Sequence, residues 1–151
     1  MKKFFITVLP LLFVLVSFAG PAIRIDEKVQ QSFKATFPNA QKVSWQEYPD
    51  AYEVYFVDGS VQTRILYAKD NSYTNYIRYY KDSVLPYPVQ AILQKEYPGK
   101  KIFGVTETST FSKTAYLVTY YHVVLEDLKK RYHVTVDNNG LVSLDGIYRK
   151  R

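Results

Sequence analysis

The chain contains no cysteine, two histidines, six glycines and one tryptophan, Trp45, in 151 residues. Without cysteine there is no disulfide framework, no thiol nucleophile, no thiolate metal ligand and no acceptor for a lipid anchor. The six glycines never fall in the spacing that cradles a phosphate, and no Gly-x-Ser-x-Gly turn is present. Neither histidine is tied by a motif to a nucleophile. Asp50, Asp58, Asp70, Asp127 and Asp137 fall in stretches that read as turns, where a carboxylate caps its own backbone. No calcium-loop spacing links them. The expectation is therefore no catalytic site, no metal and no cofactor.

Dense charge of one sign is also missing. The formal charge is +6, and taking away Lys2 and Lys3 of the N-terminal segment leaves +4. The cations are scattered apart from Lys129-Lys130-Arg131 and Arg149-Lys150-Arg151. A nucleic-acid reader concentrates its basic residues in a stripe, so no nucleic-acid partner is expected.

Long hydrophobic runs are limited to one. Phe4 to Phe18 is apolar except for Thr7, Pro10 and Ser17, follows Lys2-Lys3, and precedes the small residues Ala19, Gly20 and Ala22. This order of charged, apolar and small residues is that of a secretory leader. The run is shorter than the ~20 residues a spanning helix needs. Residues 1–22 are thus expected to be a signal peptide, with cleavage after Ala19 or after Ala22. Residues 23–151 are expected to form one soluble domain, periplasmic or secreted, with no membrane association after cleavage.

What the chain has in quantity is tyrosine, fifteen against nine phenylalanines. Rings with polar tips suit a sheet with one buried and one wet face. The chain also repeats itself. Val29, Phe33 and Phe37, followed by Pro38, lie sixty positions before Val89, Leu93 and Tyr97, followed by Pro98. The i, i+4, i+8 spacing makes an apolar stripe on a helix. In both copies the residue before proline is pushed out of the helical region, which ends the helix. Asp26 is the expected cap of the first helix, and Pro86 or Pro88 the first-turn proline of the second.

After each helix the period changes to two. Strands are expected at about 41–48, 51–57, 61–68 and 73–80, then at about 101–108, 114–124, 130–137 and 140–147. The turns between them are Pro49-Asp50, Asp58-Gly59 and Asp70-Asn71-Ser72, then Ser109 to Lys113, Glu126-Asp127 and Asn138-Asn139-Gly140. The predicted fold is α+β: two tandem helix-plus-four-stranded antiparallel meander units, about 26–80 and 86–147. They share one core, with the helices on one face of the sheet.

Alternation assigns Tyr52, Val54, Phe56, Val61, Thr63, Ile65 and Tyr67 to the covered face, with Tyr73, Ile77 and Tyr79. In the second unit it assigns Leu117, Tyr121, Val123, Tyr132, Val134 and Val136. The wet face then carries Tyr55, Arg64, Leu66, Tyr76, Arg78 and Tyr80, with Tyr116, Tyr120, His122, Arg131 and His133. His122 and His133 either face each other across their strand pair or are offset by two; without cysteine they supply two of the four ligands of a closed zinc site. Tyrosine with arginine is the composition of protein-recognition surfaces. Tyr55, Arg64, Tyr76, Arg78 and Tyr80 are accordingly the expected partner-binding residues.

The run Phe33-x-x-x-Phe37-Pro38-Asn39-Ala40-x-x-Val43-x-Trp45, followed by Tyr52-x-Val54-x-Phe56-x-x-Gly59 and Tyr67-x-x-Asp70, resembles the beta-lactamase-inhibitor-like, PepSY-like family of exported Bacteroidota proteins. Leu85-Pro86, Val89, Tyr97-Pro98-Gly99 and Tyr116-x-Val118 fit the same template. The resemblance implies tandem helix-plus-meander units and a location in the periplasm or outside the cell. The family takes its name from a secreted inhibitor that grips an enzyme with its sheet. The functional expectation is a non-enzymatic envelope protein holding a protein or peptide partner on an aromatic sheet face, and so modulating a hydrolase. The alternative expectation is a periplasmic small-ligand carrier with a pocket between helices and sheet.

Overall fold

Two proline-stopped helices begin the two halves of the described chain. The computed structural model describes residues 24–70, 72–111 and 117–150, and for Tyr73, Thr74 and Phe111 the backbone only. The expected leader, residues 1–22, lies outside the described residues. Helix α1 (Glu27–Thr36) starts at Asp26, whose carboxylate accepts the Lys28 N–H at 2.8 Å, satisfying a donor that the helix itself leaves free. Helix α2 (Tyr87–Glu96) starts at Pro86 and carries Pro88 in its first turn. Both helices close alike. Phe37 and Tyr97 donate their N–H to Phe33 and Leu93 at 2.9 Å, with φ/ψ of −126°/65° and −130°/62°.

Each helix is followed by four strands: β1 (Gln41–Glu47), β2 (Ala51–Asp58), β3 (Val61–Ala68) and β4 (Tyr73–Tyr80), then β5 (Lys101–Phe111), β6 (Leu117–Glu126), β7 (Lys130–Val136) and β8 (Val142–Arg149). They form one open antiparallel sheet in chain order, β4 pairing with β5 across the two halves. The β5 strand runs on through Ser109 and Thr110, which were expected in a turn. There Ser109 and Thr119 face each other with their hydroxyls 2.8 Å apart, a cross-strand pair of the kind that stabilises a ladder. The expected tip of that turn lies outside the described residues.

Three of the five acids expected in turns cap their own backbone. Asp70 accepts from Ser72, Asp127 from the N–H groups of Lys129 and Lys130, and Asp137 from those of Asn139 and Leu141. Gly140 has φ +78°, and a Cβ there would lie 2.9 Å from Ile92 Cδ1. A larger residue there would strain the left-handed backbone and force the tip of the Ile92 side chain to turn aside.

Burial falls into two apolar clusters where one shared core was expected. Val29 and Phe33 of α1 pack with Val54, Phe56, Ile65 and Tyr67. Val89 and Leu93 of α2 pack with Val105, Val123, Leu125 and Val134, joined by Val61 and Tyr80 from the first half. Directly opposed residues of an antiparallel ladder share a face, so the register can be followed across the sheet. One row runs from Phe56 through Thr63, Arg78, Glu107 and Tyr121 to Val136. In the middle strands this polar row lies between the two clusters. We call this side of the sheet the core face, and the other the open face.

Candidate functional site

The register divides the five expected partner-binding residues between the two faces. Tyr55 and Arg64 oppose each other on the open face. Tyr76, Arg78 and Tyr80 lie on the core face, contrary to expectation. Tyr80 is 6% exposed within the second cluster, and Tyr76 packs against the first. The cause is a β-bulge. Tyr67 pairs with Tyr73, but Leu66 pairs with Asn75, leaving Thr74 unopposed. One extra residue inverts every side chain after it. Ile77 and Tyr79, expected inside, therefore belong to the open face; of Tyr73 only the backbone is described. The alternation expected for β6 and β7 holds over the described residues, although Leu117 at the end of β6 is 49% exposed; Tyr116, expected on the wet face, lies outside the described residues.

The open face carries two adjoining rows. One is Tyr55, Arg64, Ile77, Thr108 and Tyr120; the next is Gln62, Tyr79, Thr106, His122 and Thr135. None of these ten is buried. Arg64 donates to Glu53 at 2.6 Å and also engages Tyr79, which fixes its guanidinium between strands β2 and β4 on this face. His122 opposes Thr135 while His133 opposes Val124, which is the offset register. Thr135 donates to Asp145 at 2.6 Å, and His122 Nδ1 lies 2.9 Å from the same hydroxyl. Among the described residues no three His, Asp or Glu side chains gather as a metal site.

The core face has a cleft of about 470 Å³ where the end of α1 meets the second half of the sheet. Its walls are Phe37, Ile65, Tyr76 and Leu117, and its polar side is Glu107, Ser109, Thr119 and Tyr121. Glu107 is 7% exposed. Its Oε2 accepts the Tyr80 hydroxyl at 2.6 Å, and Arg78 Nη1 stands 3.3 and 3.4 Å from the two oxygens. Arg78 is held between the Tyr76 and Tyr80 rings, at 6.0 and 5.3 Å from their centroids, within reach of a cation–π contact. Burial, and then the hydrogen bond to Glu107, raises the Tyr80 pKa far above the ordinary phenol range. Burial, and then the Glu107 charge, raises that of Tyr121 as well. The residues before the bulge gave no signal for this cluster, because the aromatics of β4 occupy both phases of the strand.

No helix among the described residues is long and apolar enough to cross a membrane. No family model matches the sequence, and no curated protein matches it. Solved structures do. A BLIP-like protein from Bacteroides fragilis superposes with a TM-score of 0.57 at 14% identity, over 85% of this chain and 89% of its own. A protein described as a candidate periplasmic one, from Bacteroides eggerthii, gives 0.54 at 15%, over 83% and 89%. A DUF2874 family protein from Bacteroides uniformis gives 0.53 at 16%, over 83% and 90%. The expected resemblance is thus met at the level of architecture: this chain has the fold of BLIP-like and DUF2874 family proteins of Bacteroides.

Proposed function

We propose that the chain is an exported, non-enzymatic binding protein that holds a protein or peptide partner on the open face of its sheet. The observation that carries this reading is the pair of adjoining rows from Tyr55 to Tyr120 and from Gln62 to Thr135, in which no residue is buried. A sheet face left unburied, with tyrosines, an arginine and short threonines between them, offers contact area at low entropy cost. The contact residues are Tyr55 and Arg64, as the sequence leads one to expect, with Tyr79 and Tyr120 in place of Tyr76, Arg78 and Tyr80, which lie on the core face. The two halves are read as copies of one helix-plus-meander unit with both helices on the core face, supported by the sixty-residue offset and the matching helix ends. Export rests on the leader-like first 22 residues, and agrees with the periplasmic description of one neighbour. An exported hydrolase is the partner class that the sequence resemblance suggests.

The test is capture from an envelope extract of the cells that make the protein. The parent should retain a partner, and a variant with Tyr55, Arg64, Tyr79 and Tyr120 all changed to Ala should release it while melting cooperatively. A partner retained equally by both proteins, or none retained by the parent, refutes the reading.

A further inference from the structure

Glu107 is nearly buried, yet one of its oxygens is poorly used. Oε2 takes the 2.6 Å bond from Tyr80, whereas the partner of Oε1 is Arg78 at 3.4 Å. Charge-assisted N–H···O bonds run at about 2.7–2.9 Å, so Oε1 keeps acceptor capacity. Glu107 lines the cleft beside Phe37, Ile65, Tyr76 and Leu117. Ser109 and Thr119, both buried, share a single hydrogen bond with each other, which leaves one more hydroxyl proton to offer. A volume of about 470 Å³ falls within the usual ~300–1,000 Å³ of small-molecule sites, which are mostly apolar with a few placed polar groups.

We infer that the cleft between α1 and the β5–β6 hairpin binds a small, neutral, largely apolar molecule whose hydroxyl or amide N–H donates to Glu107. Neutrality follows from the charges present. Glu107 and Arg78 already cancel, so a cationic head would be an unpaired buried charge, and an anionic head would meet Glu107 itself. The apolar body follows from the four walls. The donor follows from Oε1 and from the 2.6 Å bond that already orients the carboxylate. This inference is independent of the open face, which lies on the other side of the sheet.

Phenol is the probe, with toluene as its isostere lacking the donor and benzylammonium as the charged analogue. Titrated into the full chain and followed by backbone amide NMR, phenol should shift Glu107, Ser109, Thr119 and Tyr121 saturably. It should bind about tenfold more tightly than toluene, the worth of one net hydrogen bond to a charged acceptor. Benzylammonium should bind more weakly than phenol. Leu117→Trp, at the exposed mouth of the cleft, should abolish the shifts without lowering Tm, and Glu107→Gln should narrow the gap between phenol and toluene. Toluene binding as well as phenol, benzylammonium binding better, shifts surviving Leu117→Trp, or no saturable shift at those four residues would each overturn the inference.

Discussion

Tyr80 and Glu107 come from different halves of the chain and meet in one 2.6 Å hydrogen bond across the β4–β5 junction. The phenol reaches from the second apolar cluster into the polar row and gives Glu107 its one short bond of those described to Tyr80 and Arg78. Tyr80→Phe keeps the ring and removes only the donor. The expected cost at neutral pH is about 1–3 kcal/mol, because a nearly buried carboxylate loses a charge-assisted bond. The pH dependence has a definite sign. The folded chain holds the Tyr80 proton well above pH 10, whereas the unfolded chain releases it near pH 10. Unfolding therefore releases a proton above that point, and stability falls as pH rises from about 10 upward. Tyr80→Phe should flatten this alkaline slope without removing it, since Tyr121 is also shifted upward. Urea midpoints between about pH 7 and pH 11 measure it, and parallel profiles for the two proteins would refute the assignment.

The bulge at Thr74 makes neighbours on β4 unequal. Tyr80→Ala empties a site that is 6% exposed and should cost about 3–5 kcal/mol, as for other large aromatic truncations in cores. Tyr79→Ala on the open face removes a partner of Arg64 and should cost under about 1 kcal/mol. Equal costs, or the reverse order, would restore the phase that simple alternation gives.

That contrast also marks what the sequence can say. The helices were legible because Phe37-Pro38 and Tyr97-Pro98 stop them by a local rule, and Asp26 caps by another. Strands β2 and β3 were legible because Val54, Phe56, Val61 and Ile65 keep one phase without interruption. Strand β4 was not. Tyr73, Tyr76, Tyr79 and Tyr80 place rings in both phases, so nothing in the pattern locates the extra residue. The partner that fixes the phase, Glu107 opposite Arg78, lies twenty-nine residues away on a strand whose register depends on the same pairing. The cleft was hidden for the same reason, being assembled from β3, β4, β5, β6 and the end of α1.

Trp45 makes the first cluster visible in solution. Its ring lies edge-on to Phe33 at 5.3 Å and 6.1 Å from Tyr67, while Phe33 also meets Phe56 at 5.1 Å. As the single tryptophan, it reports this cluster alone. Phe33→Ala should cost about 3–5 kcal/mol and shift the emission to longer wavelength as water reaches the indole. Leu93→Ala, in the other cluster, should cost about 2–5 kcal/mol and leave the native emission maximum where it is. A shift with Leu93→Ala would mean that the polar row does not separate the clusters.

The polar row itself sets stability against use. Arg78 and Glu107 have side chains 28% and 10% exposed and stand 3.3 Å apart, so the pair is desolvated without the short geometry that recovers the cost. Replacing both by apolar residues of similar size, Arg78→Met with Glu107→Leu, would join the two clusters through one continuous apolar layer. The double variant should be as stable as the parent or more stable by about 1–4 kcal/mol, whereas Arg78→Met alone should lose about 3 kcal/mol by leaving the carboxylate unpaired. The Tyr80 hydroxyl loses its acceptor in the double variant, which places the expected gain toward the lower end. A double variant clearly less stable than the parent would show that the pair holds the halves together. If instead it is the more stable protein and no longer prefers phenol over toluene, the row is retained for what the cleft binds.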